Sequence, residues 1–155
     1  MKSRPRNAEN RIADEMNKWF VKQGLSPIIR IPVLGRAGPD YTKNELDLNL
    51  DAKSRKSIPK SYKTNATSEI LQFGDYWGIP LHDLTLLKYN RTRRVAIVEP
   101  SVVIVRWIKH MGPNGGVILH WPGTPFKNAV LCLHAETILH TRRILDETTT
   151  VLQGE

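Results

Sequence analysis

The sequence predicts an α/β domain, with helices flanking a central mixed sheet, and its hydrophobic periods carry that prediction. Residues 7–23 repeat apolar side chains at three- and four-residue spacing, whereas residues 45–53 alternate strictly between apolar and polar. A short β-branched run at 26–33 lies between them. A chain that changes from the helical to the strand period this early stacks a helix against a sheet.

The elements follow in order. Ala8, Ile12, Met16, Trp19 and Phe20 form the apolar stripe of the leading helix, and Gly24 is a natural stop after it. Three acids compete for attention on this helix. Glu9 falls at the margin of the stripe, Asp14 faces away from it, and Glu15 reads as an ordinary surface acid. Residues 26–33, with Ile28, Ile29, Ile31 and Val33, read as the next strand. A bend follows at Gly35-Arg36-Ala37-Gly38, where glycine lets backbone approach a ligand closely, and it leads into Pro39-Asp40. After a turn at Thr42-Lys43-Asn44, Leu46, Leu48, Leu50 and Ala52 take every second place of the alternating strand. Glu45, Asp47, Asn49, Asp51 and Lys53 fill its polar face.

Asp51 and Lys53 therefore point the same way, about 7 Å apart. A chain folded back at the turn brings the Asp40 carboxylate beside that of Asp51. Two carboxylates can hold a hard divalent cation, and a neighbouring ammonium can meet a phosphate or an attacking water. The ordinary alternative is a half-exposed strand whose acids and bases make weak cross-strand pairs.

Pro39-Asp40 followed by Asp51-Ala52-Lys53 resembles the bipartite motif of the PD-(D/E)xK nuclease superfamily. That superfamily includes restriction endonucleases, archaeal-type Holliday junction resolvases and RecB-type nuclease domains. Arg4-Pro5-Arg6-Asn7-Ala8-Glu9 resembles the basic lead-in and glutamate of its resolvase-like members, and the likeness runs from residue 4 to 77. It implies a restriction-endonuclease-like core and a metal-dependent DNA endonuclease. Asp40 and Asp51 would hold Mg²⁺, for which Mn²⁺ would substitute, with the Ala52 main-chain carbonyl as a further ligand. Glu9 would complete or orient the site, directly or through a water, and Lys53 would position or activate the attacking water. Aspartate at residue 51, in place of the commoner glutamate, shortens the reach to the metal by one methylene.

The same resemblance puts Arg30 and Arg36 near DNA, although each reads equally well as a solvated charge. Residues 54–63 form a basic, hydroxyl-rich loop in which Arg55, Lys56 and Lys60 suit phosphate contacts. Thr67 or Ser68 then caps an expected helix to residue 77, on which Gln72 and Tyr76 share a face. That pair matches the Gln-x-x-x-Tyr pattern of RecB-type nucleases and is an accessory site candidate, with Gly74 between the two a poor helix former.

Further on, residues 84–89 and 94–99 read as strands joined by the basic turn 90–93. Pro100 suits the first turn of a helix to His110, although the β-branched run there also suits a strand. Residues 117–121 read as a short strand, those from 129 onward choose neither helix nor strand, and 148–155 read as loosely held. An HNH-type metal finger is a rival reading of His110, Asn114 and His120, but its ordered strand pair and helix are not evident. His134 and His140, six apart, do not share a helix face, so they and Glu136 make a poor metal set.

The length of 155 residues suits one domain, with the motif-bearing core at 4–100 and an extension of it at 101–155. A net charge of +8 favours a polyanionic partner. The lone Cys132 excludes a disulfide framework and is compatible with the cytoplasm. There is no apolar run of membrane-spanning length, no signal-peptide pattern and no P-loop, so neither a membrane nor a nucleotide cofactor is expected. The expected partner is DNA, branched if the resolvase likeness holds, cut by a homodimer because a four-way junction presents two equivalent strands. The alternatives are a phage or mobile-element nuclease acting on DNA or RNA ends, and a basic nucleic-acid-binding module without catalysis.

Overall fold

The computed structural model describes residues 5–31, 39–65, 70–89 and 94–153. Helix α1 (Pro5–Lys22) leads into strand β1 (Asn49–Ser54), the short helix α2 (Lys60–Asn65) and strands β2 (Ile70–Phe73), β3 (Tyr76–Pro80) and β4 (Val95–Ile97). Helix α3 (Val102–His110), strands β5 (Gly115–His120) and β6 (Val130–His134) and helix α4 (Ala135–Gln153) complete it. The strands form one mixed sheet in the order β1-β5-β6-β3-β2-β4. The α/β class with flanking helices is therefore as expected.

The sheet buries a different set of side chains on each face. Ile12, Met16 and Phe20 of α1 pack with Leu50, Ile118, Leu131 and Ile138 on one face. On the other, Ile104 and Ile108 of α3 pack with Tyr62, Phe73, Val117 and Leu119. β5 and β6 are buried from both sides, and each fully buried aliphatic side chain there contributes about 1.5–3 kcal/mol. Residues 101–155 thus supply two of the middle strands as well as two helices.

β1 lies at an edge of the sheet and runs parallel to β5, with Asp51 opposite Val117 and Lys53 opposite Leu119. Parallel neighbours need a long crossover connection, and α3 is the element that returns the chain to β5. The contact is close: a Cβ on Gly115 would stand 2.6 Å from the Ile108 carbonyl oxygen. Only glycine lets the end of α3 sit this near the sheet.

Several elements differ from the sequence expectation. The alternating strand begins at Asn49 rather than residue 45, because Asp47 adopts a left-handed φ of 59°. Leu46 and Leu48 are still buried, but from a turn held by the Asn44 side chain, which accepts the amides of Leu46 and Leu48. Residues 26–31 make one isolated bridge, Arg30 to Tyr41, instead of a strand. The expected helix before Trp77 is the hairpin β2–β3, turning at Gly74-Asp75 with Gly74 at φ +65°. Two residues of this type between strands favour a tight hairpin turn over a helix.

Residues 84–89 contain a 3-10 turn, Leu84–Leu87, in place of a strand. Leu84, Leu86 and Leu87 are all buried, which alternation in a strand would not allow. The Pro100 segment is helical from Val102, and α4 continues to Gln153 through residues expected to be loosely held. Among the described residues, no helix is long and apolar enough to cross a membrane.

Candidate active site

The site is built around the open edge of β1. Asn49 and Arg55 donate their amides to Asn114 and His120, toward β5. Odd-numbered residues of this strand therefore bond inward, and even-numbered ones turn N–H and C=O to the open edge. Asp40 sits against that edge. Its amide donates to the Leu50 carbonyl at 2.9 Å, and its carboxylate accepts the Ala52 amide at 2.8 Å. The Ala52 carbonyl points to the same edge.

The side chains of Asp51 and Lys53 project on the α3 face, since Leu50 and Ala52 between them pack toward α1. Asp51 is only 8% exposed, and the Lys53 Nζ lies 3.0 Å from its Oδ2. The Asp40 and Asp51 carboxyls lie within hydrogen-bonding reach of each other. Burial, this shared hydrogen bond and the charges of Asp51 and Glu9 together raise the Asp40 pKa to about 7, against the pull of the Ala52 amide. At neutral pH the edge therefore holds a crowded acid pair, with Lys53 bonded to the Asp51 member.

Glu9 reaches this group from α1. Its carboxylate accepts from the Arg30 guanidinium, and its main-chain carbonyl accepts from the Tyr41 hydroxyl at 2.7 Å. Tyr41 is fully buried and its pKa is driven upward by burial and by Asp40, Glu9 and Asp51, so the phenol is a fixed donor that ties α1 to the site.

The structure thus gathers Glu9, Asp40, Asp51, Ala52 and Lys53, together with Arg30. Arg30 is a partner of Glu9 rather than a solvated charge. Arg36 and its bend, the Thr67/Ser68 cap and the 90–93 turn lie outside the described residues. Arg55 and Lys56 are exposed just beyond β1, and Lys60 is exposed at the start of α2. The basic loop is not all surface, however. Tyr62 is buried, donates to Glu99 and accepts from Ser101, so it fastens α2 to the start of α3 and is unavailable to a phosphate. Gln72 and Tyr76 do not share a helix face: they belong to the two strands of the hairpin, and Tyr76 stacks on Phe73 beside His134.

Sequence reasoning missed several neighbours. His120 accepts or donates at Ser54 Oγ (2.9 Å) and at the Thr124 carbonyl (2.9 Å), and its ring stacks on Phe126. Burial lowers its pKa, so the neutral ring donates from Nε2 to Thr124 and accepts from Ser54. It clasps the end of β1 to the loop that follows β5. Trp107 of α3 faces the Lys53 ammonium at 5.6 Å.

The donor set suits a hard cation: two carboxylates and a main-chain oxygen on one edge. Among the described residues no group of three His, Cys, Asp or Glu side chains converges to hold a metal. Mg²⁺ needs no such cage, because it keeps several waters and is commonly held by one or two carboxylates. No family model, curated protein or solved structure matches this chain.

Proposed function

We propose that this protein is a Mg²⁺-dependent DNA endonuclease with a restriction-endonuclease-like core, structure-selective in the manner of Holliday junction resolvases. One observation carries the reading: Asp40, twelve residues from Ala52 in sequence, is bonded to the Ala52 amide, beside Asp51, which in turn binds Lys53. The order of elements supports it as well. A helix bearing Glu9 precedes the Asp40 segment, and the motif strand β1 pairs in parallel with β5, although α2 and strands β2 to β4 come between β1 and the helix α3 that leads into β5.

Asp40 and Asp51, with the Ala52 carbonyl, would hold the cation. What a divalent ion would supply here is Lewis-acid polarisation of the scissile phosphate and a more acidic attacking water. The residues do the rest. Asp40, whose carboxyl is held toward its protonated form by burial first and by Asp51 next, would have to be ionised to hold the cation, and the charge of the ion would favour that form. Lys53 presents an ammonium to the charge that develops on the phosphate oxygens. Glu9, held by Arg30 and tied by its carbonyl to Tyr41, maintains the negative field beside Asp40 and fixes α1 against the edge. Arg55, Lys56 and Lys60 bind backbone phosphates on either side of the cut. The net charge of +8 draws a polyanion to them.

The test is cleavage of four-way junction, flap, linear duplex and single-stranded DNA with Mg²⁺ or EDTA. Mg²⁺-dependent cutting that favours the junction supports the reading. Binding without cutting on every substrate would replace it with a basic nucleic-acid-binding module.

A further inference from the structure

Lys53 has two neighbours of opposite kinds. The Asp51 carboxylate lies 3.0 Å from its Nζ, and the face of the Trp107 indole lies 5.6 Å away. Its side chain is 24% exposed, so the ammonium stands at the boundary between the packed α3 face and solvent. Trp107 is half-buried, in a helix whose Ile104 and Ile108 anchor it to the sheet and whose end is pressed onto Gly115. The ring is therefore rigidly carried, while the lysine stem has four rotatable bonds.

This inference rests on the proposed function, in which Asp51 has a second task. Once its carboxylate faces a divalent cation, its attraction for Lys53 is shared, and two positive charges become neighbours. A lysine held by Asp51 alone would then swing into water, and returning it to the site would cost side-chain entropy. The indole face attracts an ammonium through its quadrupole and owes nothing to Asp51. We propose that Trp107 is the positioning residue for Lys53: it retains the ammonium over its ring when the cation binds, so that Lys53 stays aimed at the scissile phosphate.

The contact is read first without any cleavage. In protein carrying ¹³C-labelled lysine, the Lys53 ε-methylene signal, identified by its loss in Lys53→Ala, is expected upfield from the ring current of Trp107. It should stay upfield when Mg²⁺ is added. Trp107→Leu, similar in apolar character but without a π face, should move it to the position of a free lysine, and Trp107→Phe should restore much of the shift. In single-turnover cutting at saturating Mg²⁺, Trp107→Leu should lower the rate about 2- to 30-fold with DNA affinity unchanged. Trp107→Phe should recover most of that loss, and Trp107→Leu should add nothing in a Lys53→Ala background.

A Lys53 signal that ignores Trp107→Leu, or that leaves the ring on Mg²⁺ addition, overturns the proposal. So does an unchanged cutting rate in a Trp107→Leu protein whose lysine has moved. Absence of Mg²⁺-dependent cutting by the unaltered protein instead overturns the nuclease reading, and the Lys53 signal in Mg²⁺ still decides whether Trp107 retains the lysine.

Discussion

Asp40 is bonded to Ala52 as a missing strand would be: the Asp40 carboxylate takes the Ala52 amide at 2.8 Å. The side chain thereby satisfies a main-chain donor on the open edge of β1, and it is pinned in the one place where it must confront Asp51. Edge donors are usually left to water. Here one of them orients an acid.

That confrontation has a pH signature. The Asp40 pKa in the folded protein, about 7, lies above its ordinary value of 3.8. Its proton-linked stability is therefore fully present below about pH 4 and is lost as the pH rises to about 7. With EDTA, unaltered protein should lose on the order of 2 kcal/mol relative to Asp40→Asn across that window, allowing for solvent screening. Mg²⁺ should return stability, and more of it at pH 7.5 than at pH 5. Thermal unfolding of both proteins from pH 4 to 8 checks this, and parallel curves would show that Asp40 is not strained by its neighbours.

Asp51→Asn should abolish Mg²⁺-dependent cutting by at least about 10³-fold, since several kcal/mol of transition-state stabilisation pass through that carboxylate. The fold should survive, because the change relieves repulsion with Asp40. Circular dichroism with single-turnover cutting measures both. Most of the rate surviving in this variant would remove the two-carboxylate site.

Chemistry and affinity should separate along β1. Lys53→Ala should cut poorly yet bind DNA nearly as well, one charge being a small part of the total attraction. Neutralising Arg55, Lys56 and Lys60 together should weaken binding and flatten its salt dependence by about one unit of log–log slope per lost phosphate contact. Fluorescence anisotropy over a salt series decides it, and an unchanged slope would take the basic loop off the DNA.

Glu9 and Glu15 should behave differently in both activity and stability. Glu15 is not the open surface acid its position suggested: its side chain is 20% exposed, as Glu9's is, but its partner Lys18 is 69% exposed and well solvated, so Glu15→Gln should cost less than about 0.5 kcal/mol and leave turnover alone. Glu9 meets Arg30 where both side chains are largely covered, at 20% and 15% exposure. Glu9→Gln should destabilise by about 1–3 kcal/mol and slow turnover. Chemical denaturation paired with cutting assays tests both halves, and equal behaviour of the two variants would detach α1 from the site.

Much of the site was legible in the sequence because its signals are local. The parity of β1 placed Asp51 and Lys53 on one side and Leu50 and Ala52 on the other without any tertiary information, and Gly38-Pro39-Asp40 marked where a bend would deliver a second acid. The stripe from Ala8 to Phe20 likewise determined the leading helix and set Glu9 at its margin. The hairpin at Gly74-Asp75 was also written locally, but the apolar residues around it fit a helix face equally well, and only their pairing across the sheet chose between them.

What the tertiary structure decided is who meets whom. Arg30 answers Glu9 across 21 residues, and Asp40 answers Ala52 across 12. The packing of α3 on β5 brings Trp107 to Lys53. The sequence period records which face a side chain occupies, because that follows from backbone geometry one or two residues away. Ion pairs, shared protons and ring contacts depend on how separate elements dock, and that is settled by the summed burial of both faces of the sheet.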